Sequence, residues 1–369
     1  MGKFAVGLDI GTTTILARLV DLDSGKSIDE YSALNNQRCF GADVMTRISA
    51  ALNGKLDELF SAVNNQTEEI LLHFIKKHNL SAISKCVVSG NTCMLHLFCR
   101  ADPASMGTFP YKPLFLEERN FKGCELSLSV EHVTLLPGIS SFIGADITAG
   151  LALIDIINKG EDALFIDIGT NGEIAVWKNS EKSLLCCSTA AGPCFEESEI
   201  SCGLNAADFI NAIAEMKRGS IINETGALAD EFTLTGFPAA RDKIITQKDI
   251  RQFQLAKSAI YSGIKTLCKT ASMKLDGYCS VYIAGGLGFY LDLGNAVFTG
   301  LLPREFAGDL LRKKTTICGN TSLNGAVNSL IDPDFKHRCH EIISRAETID
   351  LTNNKYFTAS FEHNMYFRV

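Results

Sequence analysis

Two short strings in this chain have the residue types to handle a polyphosphate. Asp9-Ile10-Gly11-Thr12-Thr13-Thr14 follows an apolar run at residues 4–8, and Asp167-Ile168-Gly169-Thr170-Asn171-Gly172 follows one at residues 163–166. In each, a glycine in a tight turn lets the backbone come close to an anion, and successive N–H groups make an anion-binding concavity. Gly11, Thr12, Thr13, Gly169, Thr170 and Asn171 are the expected donors. The carboxylates of Asp9 and Asp167, at the strand ends, suit Mg²⁺, a cation that keeps several of its waters. Neither turn contains Gly-Lys-Ser/Thr, and a strand-like run follows each (residues 15–20 and 173–177), so neither is a Walker A loop. One such string alone reads as a strand-ending turn. A second copy with the same Asp–Gly–Thr spacing turns the pair into a clamp for one polyphosphate. A third string, Ile283-Ala284-Gly285-Gly286-Leu287-Gly288, follows a short apolar strand, and its paired glycines leave room for a flat adenosine on the backbone.

The elements that must position these strings follow from periodicity. Hairpins repeated halfway along the chain predict two similar α/β halves. Helical spacing covers residues 43–52, 56–77, 147–158, 206–216 and 247–275, and a strand covers 279–284. Strands alternating with helices predict a mixed or largely parallel sheet with helical cover. The segment 107–124, with Pro110 and Pro113, predicts an irregular excursion. At 46% hydrophobic the chain has enough apolar mass for a core, which excludes intrinsic disorder. Lys+Arg 35 against Asp+Glu 42, with no basic stripe, argues against nucleic acid as the partner. No apolar run is long enough for a membrane span. Thirteen cysteines without any C-x-x-C, behind a start that lacks a signal peptide, predict a reducing cytoplasm and free, mostly buried thiols. His96 and His132 read as packed, satisfied side chains.

The three strings, in their order, resemble those of the acetate and sugar kinase, heat-shock ATPase and actin superfamily, along nearly the whole chain. The resemblance implies an α/β, two-lobed actin-like ATPase fold of duplicated ribonuclease H-like lobes. It places residues 1–145 in the first lobe and 146–369 in the second, with a C-terminal tail packing back on the first. It also implies ATP held by Asp9, Gly11, Thr12, Thr13, Thr14, Gly169, Thr170, Asn171, Gly172, Gly285, Gly286 and Leu287, with Mg²⁺ at Asp9, Asp146 and Asp167. Asp146, in Gly144-Ala145-Asp146-Ile147-Thr148-Ala149, matches the superfamily's acidic residue near the metal, with a plain helix N-cap as the alternative. Asp146, Asp167 and Glu173 are the catalytic candidates. Strand alternation leaves open whether Glu173 points into the site or away from it. Gly319 to Ala326 matches a small-residue helix start.

Longer strings narrow the resemblance. Ser32-Ala33-Leu34-Asn35-Asn36-Gln37 with Gly41-Ala42-Asp43-Val44, Gly90-Asn91-Thr92-Cys93-Met94-Leu95-His96-Leu97, Leu136-Pro137-Gly138 and Ser188-Thr189-Ala190-Ala191-Gly192-Pro193 are four of them. Ile245-Thr246-Gln247-Lys248-Asp249-Ile250 with Gln254-Leu255-Ala256-Lys257 is another. Together they are similar to the ATPase domain of the reductive activators of corrinoid proteins, which use ATP hydrolysis to return a Co(II) corrinoid to Co(I). The partners so implied are a corrinoid protein and a separate ferredoxin-like electron donor, and a homodimer is compatible with the resemblance. Family members usually carry a ferredoxin-like [2Fe–2S] domain; the cysteines here show no plant-type cluster spacing, so no iron–sulfur cluster is expected in this chain. The acidic segment 192–199 is either a solvated face or, through Glu196 and Ser198, the corrinoid-facing edge. Two other readings stay open: a non-redox ATP-dependent chaperone or docking partner of a corrinoid methyltransferase system, and a small-molecule kinase of the same superfamily.

Overall fold

Burial grades outward across the first three strands, which is what separates a central strand from an edge. β1 (Phe4–Ile10) is buried on both faces from Ala5 onward, β2 (Thr14–Asp21) alternates, and β3 (Lys26–Leu34) is exposed at every second position toward its end. In this computed structural model residues 3–190, 192–195, 204–240, 243–286 and 291–367 are described. The chain divides into two units, Met1–Ile156 with Thr321–Ala346, and Ile157–Asn320 with Glu347–Val369.

The first unit adds β4 (Lys85–Gly90), β5 (Arg119–Lys122) and β6 (His132–Leu135), in the order β3-β2-β1-β4-β6-β5. β1, β4 and β6 run parallel, while the β1–β2–β3 meander and the edge strand β5 are antiparallel to their neighbours. Helices α1 (Val44–Ala50), α2 (Leu56–Lys77) and α3 (Thr92–Phe98) connect these strands, and α4 (Ala145–Leu153) follows β6. Gly54, at φ +80°, breaks α1 from α2. Along α2, Leu59, Val63, Ile70, Leu71 and Phe74 form the buried stripe that their spacing predicts. The segment expected to be irregular contains one regular piece, β5.

The second unit repeats the plan with β7 (Asp162–Ile168), β8 (Gly172–Lys178), β9 (Ser183–Thr189), a small β10 (Phe237–Ala240) and β11 (Lys243–Ile245) hairpin, β12 (Cys279–Ala284), β13 (Thr315–Gly319) and β14 (Ala346–Thr348). Its main sheet runs β13-β12-β7-β8-β9-β14, so β9-β8-β7-β12 here mirrors β3-β2-β1-β4 in the first unit. α5 (Ala206–Arg218), α6 (Gln247–Thr270), α7 (Leu293–Thr299) and α8 (Asp309–Lys313) follow in order. A capping box between Thr246 and Asp249 starts α6, and Ile250, Phe253, Ala256, Ile260, Ile264 and Leu267 line its buried face.

α9 (Thr321–Ile331) and α10 (Phe335–Arg345) then return to the first unit, whereas α11 (Lys355–Asn364) belongs to the second. The expected boundary at 145/146 therefore moves to 156/157. α4 packs on α9 in the first unit, where a Cβ on Gly325 would lie 2.7 Å from the Cβ of Ala149. The helix expected over 147–158 stops at Leu153, and Asp155 takes a left-handed φ of +52° before the chain enters the second unit. Residues 321–346 belong to the first unit and residues 347–369 to the second. Among the described residues no helix is long and apolar enough to cross a membrane.

Candidate functional site

Both Asp–Gly–Thr strings sit where a central strand turns into its hairpin partner. Asp9 is the penultimate residue of β1 and Asp167 that of β7. The turns differ by one residue. Ile10 pairs with Ile15, while Ile168 pairs with Gly172. Asp9 consequently faces Leu16 across the hairpin, and Asp167 faces Glu173. Directly opposed residues of antiparallel strands share a face. That settles the orientation of Glu173: it stands on the face of Asp167. Ser188, opposite Glu173 on β9, joins them, with its hydroxyl 3.4 Å from Glu173 Oε1.

The glycines close the turns. Gly11 N–H donates to Thr14 O at 3.0 Å and Gly169 N–H to Asn171 O at 2.9 Å. The two expected glycine donors are thus engaged within their own turns. Thr12 is buried, while Thr13, Thr14, Thr170 and Asn171 keep part of their surface. Thr12 Oγ1 accepts from Asn91 Nδ2 at 3.1 Å, and the same Asn91 caps α3 by accepting from Met94 N–H. Asn35 binds the first turn twice, donating from Nδ2 to Gly11 O and from its backbone N–H to Thr13 O, both at 2.8 Å. Gly172 has a packing reason of its own: a Cβ there would lie 2.9 Å from Ile260 on α6.

Behind the first turn lies a polar cluster within the first unit. Asp9 is only 8% exposed, and Ser322 Oγ donates to its Oδ1 at 2.7 Å. Ser322 Oγ is also 2.9 Å from Ser89 Oγ, on the strand position beside Asp9. A hydroxyl carries one proton, so Ser89 donates to Ser322, which donates to the carboxylate. Sequence reasoning passed over Ser89 and Ser322; the small-residue start of α9 was the one available signal.

Asp146, in the first turn of α4, feels the charge of Asp9. Gly144 is the residue at the helix N-cap, where a Cβ would lie 2.7 Å from the Asn91 backbone, and Asp146 Oδ1 accepts from Ile147 N–H at 2.9 Å. Asp146 is therefore not the N-cap. Burial pushes its carboxyl up to about 7, and the negative charge of Asp9 adds to the rise, outweighing the helical N–H donor. Burial and the charge of Asp9 make ionising Asp146 costly, so added positive charge there is favourable.

In the second unit, Gly285 follows β12 at φ +90°, and a Cβ there would lie 2.4 Å from Ile168 O and 2.7 Å from Asp167 Oδ1. Only glycine lets this backbone pass beside Asp167. Gly286 faces open space. Leu287, Glu196 and Ser198 lie outside the described residues. His96 is buried and stacks on Phe115; its Nε2 accepts from Leu114 N–H, so Nδ1 carries the proton to Thr92 O, and burial lowers its pKa. His132 is exposed rather than packed. Cys86, Cys93, Cys186, Cys187, Cys194, Cys268, Cys279 and Cys339 are buried free thiols, and burial pushes Cys86, Cys93 and Cys186 up to about 12, which keeps them unreactive. Among the described residues no group of three His, Cys, Asp or Glu side chains gathers to hold a metal directly.

Comparison with known proteins fits this geometry. Residues 4–159 match the RACo middle region, and residues 161–220 and 207–369 match the C-terminal domain of RACo, the ASKHA domain. The chain is 30% identical to the corrinoid activation enzyme RamQ of Eubacterium limosum over 99% of its own length and 70% of that protein. It is 25% identical to the [Co(II) methylated amine-specific corrinoid protein] reductase of Methanosarcina barkeri, over 98% of its length and 76% of that protein. A solved reductive activator for corrinoid, iron–sulfur protein superposes with a TM-score of 0.89 at 29% identity, covering 99% of this chain and 66% of that one. The chain belongs to the RACo family, and its two halves are that family's middle region and its C-terminal ASKHA domain.

Proposed function

We propose that the chain is an ATPase that drives reduction of Co(II) to Co(I) in a corrinoid protein, with the electron supplied by a separate ferredoxin-like donor. The observation that carries the ATPase half is the duplicated hairpin: each central strand delivers a carboxylate, a glycine-closed turn and threonine or amide donors at its end. The corrinoid half rests on the activities for which the relatives RamQ and the [Co(II) methylated amine-specific corrinoid protein] reductase are named.

The donor set fits a hydrated divalent cation. Burial and the charge of Asp9 together help hold the proton on Asp146. A dication between these carboxylates and a polyphosphate would relieve the cost of ionising Asp146, and the hard oxygen ligands suit Mg²⁺. When bound, Mg²⁺ supplies charge neutralisation to the phosphates. The chain's own residues do the remainder. Ser322 and Ser89 fix the orientation of Asp9. The amides and hydroxyls of Thr12 and Thr13 in the first unit, and of Thr170 and Asn171 in the second, are suited to phosphate oxygens, and the Gly285–Gly286 backbone of the second unit is suited to adenosine. Glu173, held on the face of Asp167 with Ser188 beside it, orients the attacking water and takes its proton as phosphate is released.

The test is Mg-dependent phosphate release by the purified protein and by Asp9→Ala and Asp167→Ala variants whose melting is checked. Loss of turnover in both folded variants supports the site; turnover equal to the parent in both refutes it.

A further inference from the structure

Arg47 is a guanidinium with no exposed surface, in a unit where a buried charge is costly. It comes from α1, and it reaches back under the first turn. Nε donates to Gly41 O at 2.9 Å, Nη1 lies 3.4 Å from Gln37 Oε1 and 3.1 Å from Met94 Sδ, and Nη2 donates to Thr12 O. These four acceptors are neutral. Asn35 takes the carbonyls on either side, Gly11 O and Thr13 O. Three successive carbonyls of the turn are therefore drawn toward the protein interior.

We propose that Arg47 is the positioning residue of the nucleotide site: by fixing Thr12 O it aims the Thr13 amide at the polyphosphate and places a buried positive charge behind it. The peptide bond is planar and trans, so the N–H of a residue points opposite to the carbonyl before it. Holding Gly11 O and Thr12 O on the inner side turns the N–H groups of Thr12 and Thr13 to the outer side. The fork of a guanidinium can hold Thr12 O and Gly41 O together, which an ammonium cannot. The charge acts through low-dielectric protein rather than water, so it favours an anion on the far side of the turn. This inference rests on the ATP-binding reading above and assigns Arg47 to that site. It also accounts for why the stretch from Asn35 to Val44, otherwise remote from the chemistry, carries such specific polar residues: it is the support of the first turn.

The experiment measures the affinity of the full chain for ATP and for adenosine in the parent, Arg47→Lys and Arg47→Met, by competition against a fluorescent ATP analogue, with melting curves alongside. Arg47→Lys keeps the charge and loses the fork, and is expected to weaken ATP about tenfold. Arg47→Met loses both and is expected to weaken it about a hundredfold, the scale of one to two charge-assisted hydrogen bonds. Adenosine affinity stays within about twofold, because the turn touches only phosphate. A purely structural role would lower both affinities together or leave their ratio unchanged in the folded variants; either result overturns the proposal. Where Arg47→Met does not fold, the ratio in Arg47→Lys decides. A parent protein that binds adenosine but shows no added affinity for ATP would refute the ATPase reading itself, an outcome distinct from an unchanged ratio in the variants.

Discussion

Asp146→Asn is predicted to make the protein more stable without nucleotide while removing its activity. An ordinary Asp at 3.8 against a carboxyl at about 7 here corresponds to a cost of roughly 4 kcal/mol when the group is ionised in the native state. The sign follows from proton binding. Below pH 4 both native and unfolded chains hold the proton, and Asp146 costs nothing. Between pH 4 and 7 the native chain binds more protons than the unfolded one, so stability falls as pH rises, and above 7 the cost is complete and constant. Asparagine has no such cost, so the advantage of the variant should grow from pH 5 to 7 and level off above. Solvent reaches part of this side chain, which cuts the ceiling to about half. Over pH 5 to 7 that leaves about 1–2 kcal/mol, or roughly 3–6 °C in melting temperature for a unit of this size. The assay is thermal melting of parent and variant from pH 5 to 8.5, with and without Mg²⁺, and phosphate release at pH 7.5. Mg²⁺ should raise the parent's melting temperature at pH 8 and leave the variant's unchanged. A variant that melts at or below the parent at pH 8, or an advantage independent of pH, would refute the argument that burial beside Asp9 makes ionised Asp146 costly.

Glu173→Gln should keep ATP affinity within about threefold and lower turnover by a hundredfold or more, the usual worth of a positioned proton acceptor; a proportionate loss of binding instead would make it a ligand-holding residue. Gly285→Ala puts a Cβ 2.4 Å from Ile168 O at φ +90°, and should cost about 1–3 kcal/mol in urea unfolding and weaken nucleotide binding by displacing Asp167; an unchanged midpoint would contradict the close approach. Lys257 is fully buried on α6, where it donates to Tyr366 O at 3.1 Å and to Asn364 O, and burial together with the charge of Lys217 holds it down to about 7. The unfolded chain therefore binds more protons than the native one between pH 7 and about 10, so stability should rise with pH there. Lys257→Met should lose that slope, and parallel melting curves from pH 7 to 9 would count against it.

The spacing of Asp9 and Asp167 was legible because a strand-ending carboxylate followed by glycine and threonine has few uses, and two copies have fewer. The helix at 56–77 and the strand at 279–284 were legible because their apolar period is unbroken. Three things were not. The orientation of Glu173 depends on a hairpin one residue shorter than its counterpart, which only the pairing register shows. Ser89, Ser322 and Arg47 meet the first turn from residues 89, 322 and 47, and such convergence has no local signature. The boundary at 156/157 depends on α4 packing against α9, through small residues that carry no periodic mark.

ATP hydrolysis by this chain is proposed to make an otherwise uphill electron transfer to a corrinoid proceed. The coupling is tested most directly by following the visible spectrum of a Co(II) corrinoid protein mixed anaerobically with a reductant and this protein, with ATP and Mg²⁺ added last. Co(I) should form only after ATP is added and should fail to form with Asp9→Ala. Co(I) formation at the same rate and extent without ATP, or none in its presence while phosphate is released, would contradict that coupling.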